Sequence, residues 1–152
     1  IFITADTGMN ILPYMFSRPI VFLNWICISN LLRFVNYGIF IPKLYYSEKE
    51  NRYLDFFDMF HGPLKIVSTF DQISALQIRI IENSEEEIRE VVEEMTLRLT
   101  GKWISSDADT RRQYDFWRLN NQNESHFSTF FVGSRFLEKL EDLLQRGLEK
   151  IE

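Results

Sequence analysis

With 152 residues, 45% hydrophobic and 26% charged, the chain has the length and composition of one folded domain, and 1–152 reads as a single unit. A net charge of −5 offers no basic surface for nucleic acid, and the single cysteine excludes an internal disulfide framework and fits a reducing, cytoplasmic setting. The apolar stretch Ile20–Val35 is shorter than the roughly 20 residues a spanning helix needs and carries Asn24, Ser29, Asn30 and Arg33, which argues against a transmembrane segment.

Phe2–Ala5 is a short apolar run of the kind covered on both faces in a parallel sheet. The polar turn Asp6-Thr7-Gly8-Met9-Asn10 follows, and Pro13 decides where the next helix starts. Capped by Thr7, the helix would hold Pro13 in its interior at a cost of ~3 kcal/mol. Capped by Asn10, it places Pro13 in the first turn, where the missing N–H is harmless. A helix over 11–17 follows, and Pro19 opens a buried strand over 20–24. Residues 26–47 read as irregular, punctuated by Asn30, Asn36, Gly38 and Pro42, with a short extended piece at 39–43. A helix over 53–60 ends at His61-Gly62-Pro63. Ser68-Thr69 caps another over 70–76, and 78–82 reads as a strand.

From Ser84 the pattern is clearest. Ser84 and Glu87 make a capping box, and Ile88, Val91, Val92, Met95 and Leu99 form one apolar stripe. Glu85→Arg89 and Glu94→Arg98 add support one turn apart, and Gly101 stops the helix. The acidic run 85–94 reads as a solvated face. A helix over 108–120, a polar loop at 120–125 and an amphipathic helix over 134–146 complete the chain. Strand–helix–strand followed by helix–strand–helix predicts an α/β layered domain.

A turn of small and polar residues between a strand and a helix aims free backbone N–H groups forward, and anions suit that place. Thr7, Gly8, Met9 and Asn10 are therefore candidate phosphate and sugar contacts. Asp6 either forms the turn through its own side chain or meets sugar hydroxyls. Asn24 and Trp25 end a strand on the same edge, where ligands of open α/β sheets bind. Trp25 either stacks on a base or sugar or caps the core. Lys43 and Arg18 are the nearest basic residues, though a solvated surface charge is the commoner fate of such side chains, and Arg18 falls at the far end of its helix. His61 beside Gly62-Pro63 reads as a helix-terminating residue. His61 and His126 are the only histidines, and no zinc-ligand spacing, Ser/His/Asp set or P-loop is present.

Asp6-Thr7-Gly8-Met9-Asn10, a helix, and Arg18-Pro-Ile-Val-Phe-Leu-Asn24-Trp25 together resemble the C-terminal half of a GT-B glycosyltransferase. More narrowly, the set is similar to a family of glycosyltransferases known mainly from microbial genomes. Phe40-Ile-Pro-Lys43, the helix around Leu54–Phe60, Ile80–Ile88 and Ser125-His-Phe-Ser128 extend the likeness over most of the chain. The resemblance implies a Rossmann-like domain with a short parallel sheet flanked by helices. It also implies a nucleotide-sugar donor with its diphosphate near the start of the helix after Thr7-Gly8, and no bound metal or other cofactor. The acceptor, a surface polysaccharide or other glycan, and the catalytic base would belong to an N-terminal domain that this chain lacks. The chain is then a fragment that begins inside the donor half and is inactive alone. An apolar face is expected near the last helix, which would cross back to the absent domain. A phosphate-clamping Arg/Lys pair is not evident. Two further readings stay open: a nucleotide-sugar 2-epimerase of the same fold, whose acid/base carboxylates and histidines are thin here, and a non-catalytic interaction domain whose aromatic residues are core and interface.

Overall fold

The computed structural model describes residues 1–5, 11–26, 37–65, 70–120 and 130–151. With strands numbered in chain order, β1 (Phe2–Thr4), β2 (Ile20–Trp25), β3 (Gly38–Pro42) and β7 (Phe130–Val132) form a four-stranded parallel sheet in that order. The strands β4 (Leu44–Ser47), β5 (Arg52–Tyr53) and β6 (Ile78–Ile81) form an antiparallel sheet in the order β5-β4-β6. The helices are α1 (Ile11–Met15), α2 (Phe56–His61), α3 (Phe70–Ala75), α4 (Glu85–Leu99), α5 (Asp107–Leu119), α6 (Ser134–Lys139) and α7 (Glu141–Leu148). The architecture is α/β, with a short parallel sheet flanked by helices, and is compatible with a Rossmann-like domain.

Side chains alternate across a strand, so the two faces of the parallel sheet meet different helices. Phe40 stacks on Phe130 at 5.1 Å between ring centres, and both rings meet Trp117 of α5, with Phe56 of α2 behind Phe116. On the other face Ile41 and Val91 of α4 lie against Gly133, and Arg98 of α4 covers the Phe131 ring. A Cβ at Gly133 would come within 2.9 Å of Ile41 Cγ2, so the turn from β7 into α6 needs a residue without one. The aromatic surplus is therefore spent largely on this core: Phe40, Phe56, Phe116 and Trp117 are all buried.

The sequence pattern from Ser84 holds in detail. Ser84 Oγ accepts from the Glu87 N–H, the Glu87 carboxylate accepts from the Ser84 N–H, and Gly101 follows α4 at φ +69°. The stripe shifts at its end, however: Leu99 is exposed while Arg98 is covered. The acidic face also differs from expectation. Glu90 and Glu94 are buried because α6 packs across that side of α4, which no helical spacing within 85–99 reveals.

Other stretches depart from the sequence reading as well: the helix expected over 53–60 begins only at Phe56, capped by Asp55, because Tyr53 pairs with Tyr46 in β5. Residues 38–47 are not irregular: β3 runs into β4 with only Lys43 between them, so one stretch of chain serves both sheets. The amphipathic run predicted over 134–146 is broken at Leu140 into α6 and α7. Phe136 and Leu137 bury where α6 meets α4 and α5, whereas Leu143, Leu144 and Leu148 bury where α7 meets α2 and α5. One straight helix could not face both partners. The apolar face expected near the last helix is thus covered, and among the described residues the large exposed apolar side chains are scattered, with Ile1, Ile3, Met15 and Phe16 near the start of the chain and Ile104, the most exposed, between α4 and α5.

Candidate functional site

The expected site lies at the carboxyl edge of β1 and β2. Phe2, Ile3 and Thr4 pair in parallel with Ile20, Val21 and Phe22. Both strands therefore run out at the same edge, and the link from Ala5 to α1 departs from it. Asp6, Thr7, Gly8, Met9 and Asn10 themselves lie outside the described residues, as does His126.

Asn24 and Trp25 are at that edge, and the structure shows what they do there. The β2–β3 register is interrupted between Phe22 and Trp25, and Asn24 sits at φ +52°, a left-handed conformation that Asn tolerates better than most residues. Asn83, two residues after β6, clasps this bulge. The Asn24 N–H donates to Asn83 Oδ1 at 2.7 Å, and the Asn83 N–H donates to Asn24 Oδ1 at 2.7 Å. The Asn83 amide also donates to the Pro42 carbonyl at 2.9 Å. This pair fastens the carboxyl end of β2 to the antiparallel sheet. Trp25 is buried, edge-on to Phe22 at 4.9 Å between ring centres, and its carbonyl accepts from the Lys43 N–H. Asn83 carried no distinguishing signal in the sequence beyond its place just before the Ser84 cap.

The two basic candidates separate. Lys43 is buried rather than a solvated surface charge, and its ammonium contacts Glu82 at 2.6 Å. Arg18 is exposed and precedes β2, which puts it at the amino edge, away from the candidate site. His61 ends α2, lies against the Phe57 ring and shares a hydrogen bond with the Leu119 carbonyl at 2.6 Å, so it is a structural residue.

A second polar centre was not foreseen. Glu94 accepts the Ser134 N–H at 2.7 Å, the Ser134 hydroxyl at 2.8 Å and Arg98 Nε at 2.9 Å. Burial pushes the Glu94 carboxyl above its usual range despite these donors. The Glu94→Arg98 spacing was visible as a pair one turn apart, but its burial depends on α6. Among the described residues no group of His, Cys, Asp and Glu side chains is arranged to hold a metal ion, and no helix is long and apolar enough to cross a membrane.

The order of the parallel strands rises without reversal among the described residues. The crevice that open α/β sheets form where strand order reverses therefore does not fall between any two of them, and one at β1 would need a strand on that strand's other edge. Comparison with known proteins adds no assignment: no family model, curated protein or solved structure matches the chain.

Proposed function

We propose that this domain binds the nucleotide-sugar donor of a glycosyltransferase of the GT-B type. Main-chain N–H groups of Thr7, Gly8, Met9 and Asn10 hold the diphosphate, and Asp6 meets the sugar. Asn24 and Trp25 shape the floor of the site, and transfer goes to a glycan acceptor carried by another domain. The observation that supports this reading is the parallel pairing of β1 with β2, which starts the Asp6–Asn10 link at the edge carrying Asn24 and Trp25. A departing diphosphate needs charge stabilisation, and inward-facing amides supply it without a metal.

The test is thermal unfolding with UDP, GDP, CDP and dTDP. A ligand at about 100 times its Kd stabilises the folded state by roughly 2.7 kcal/mol. For a domain of this size that raises Tm by roughly 5–10 °C. Gly8→Val, which blocks close approach of the turn to a phosphate, should abolish the shift while leaving the unliganded Tm within a few degrees. A folded sample that shifts with none of the four diphosphates overturns the proposal.

A further inference from the structure

We propose that two copies of this chain associate about a two-fold axis, each inserting Ile104 into a cleft beside β7 of the other. The cleft lies between the C-terminal half of α4, the N-terminal half of α5 and β7, has a volume of about 310 Å³ and is mainly apolar. Ser105, Thr110, Gln113, Tyr114 and Phe131 line it.

Ile104 is 91% exposed, more than any other large apolar side chain among the described residues, and stands in the link between α4 and α5. A lone exposed aliphatic residue is ordinary on a loose loop, but this link is fixed on both sides of it. The Lys102 and Trp103 N–H groups both donate to the Leu97 carbonyl, at 2.9 and 3.1 Å. The Trp103 indole N–H donates to the Ser105 hydroxyl at 3.0 Å, and its ring lies against the Arg98 guanidinium at 4.8 Å. Ser106 then caps α5 by accepting the Asp109 N–H at 3.1 Å. Ile104 is thus held outward as a knob on a rigid base, and docking it loses little backbone freedom.

The cleft suits an aliphatic side chain. Gln113 is tied to the N–H and carbonyl of Val132, Arg98 donates to Glu94, and the Thr110 hydroxyl donates to the Ser106 carbonyl. The polar side chains around it are therefore engaged, and the Phe131 and Tyr114 rings offer apolar contact. Ser105 lines the cleft and Ile104 precedes it, so knob and hole stand side by side. That is the arrangement in which a two-fold axis lets each copy fill the other. Charge selects a second copy as the occupant. Lys102 and Asp107 flank the knob in sequence, both are exposed, and neither takes part in an ion pair among the described residues. About a two-fold axis at the knob the two links run antiparallel, so Lys102 of each copy faces Asp107 of the other. The surface lies beside β7, at the opposite end of the parallel sheet from β1, so association leaves the proposed donor edge open.

Sedimentation equilibrium of the wild-type chain at low salt, from about 5 to about 500 µM, should show a reversible monomer–dimer equilibrium of the weak class that small interfaces give. Each dimer buries two Ile104 side chains, so Ile104→Ser should weaken association at least about a hundredfold, and a side chain so exposed is not needed for folding. Tyr114→Glu, which brings a charge to the cleft, should weaken it at least about tenfold. Lys102→Glu sets like charges against each other and should weaken association roughly threefold or more, and adding Asp107→Lys should restore it. A chain that stays monomeric at the highest concentration overturns the proposal and leaves the cleft to a small molecule or a different protein. A dimer that survives Ile104→Ser, or equal association of the single and double charge reversals, overturns it as well.

Discussion

Replacing Asn83 by Ala tests whether the clasp at the end of β2 is what fastens the two sheets. The substitution removes two hydrogen bonds, from the Asn24 N–H at 2.7 Å and to the Pro42 carbonyl at 2.9 Å, and strands both backbone groups in a largely buried place. Leaving a buried donor or acceptor unsatisfied costs about 1–3 kcal/mol, so the expected loss is roughly 2–5 kcal/mol. At roughly 2–4 °C per kcal/mol for a domain of this size, Tm falls by roughly 4–20 °C. Asn24 supplies an internal comparison. Asn24→Gly loses one acceptor, for the Asn83 N–H, but glycine takes φ +52° freely, so about 1 kcal/mol is expected. Asn24→Ala loses the same bond and adds a left-handed penalty of about 1 kcal/mol, giving roughly 2 kcal/mol in all. Urea unfolding, read as midpoint and slope, should rank Asn83→Ala above Asn24→Ala above Asn24→Gly with slopes unchanged. If Asn83→Ala costs less than about 0.5 kcal/mol, the range of an ordinary surface substitution, the clasp argument is wrong.

The outer edge of β7 gives another expectation. Gln113 stands in for a neighbouring strand, donating to the Val132 carbonyl and accepting its N–H at 3.0 Å, so Gln113→Ala should cost about 1–3 kcal/mol and open a free edge. Light scattering after size exclusion should then show larger species than the wild type, and an unchanged mass with unchanged stability refutes the role. For pH dependence, burial alone would raise the Asp58 carboxyl, but hydrogen bonds and charge from Lys150 at 2.6 Å and Arg52 at 3.1 Å hold it below its usual range. A lowered folded-state pKa stabilises the protein above the unfolded value and is lost as pH falls through the folded one. The stability gap between wild type and Asp58→Asn should therefore be present at neutral pH and close in acid, and a gap that persists in acid contradicts the ion-pair origin. Glu94 has the opposite sign: its raised pKa makes its contribution fall as pH rises through that value.

What the chain order alone disclosed was local. The capping box at Ser84, the stop at Gly101, the start of α1 ahead of Pro13 and the strand after Pro19 each follow from backbone groups within a few residues of one another, so spacing suffices to read them. The α/β class followed from the order of those elements. The edge at which a ligand link would leave β1 was also legible, because a parallel strand followed by a helix fixes its direction.

The tertiary structure decided the rest. Glu94 and Arg98 have the same spacing as a solvated surface pair, and only α6, some 40 residues later, turns them into a buried centre. Asn83 became a clasp because β6 returns beside β4 and brings it to the bulge at Asn24. Leu140 breaks the last helix because its two halves meet different helices. Asp109 looks in sequence like an ordinary first-turn helix acid, and only the folded chain buries it beside Arg98, 3.9 Å away. In each case the property belongs to a contact between distant segments, and periodicity within one segment carries no information about which partner will cover it.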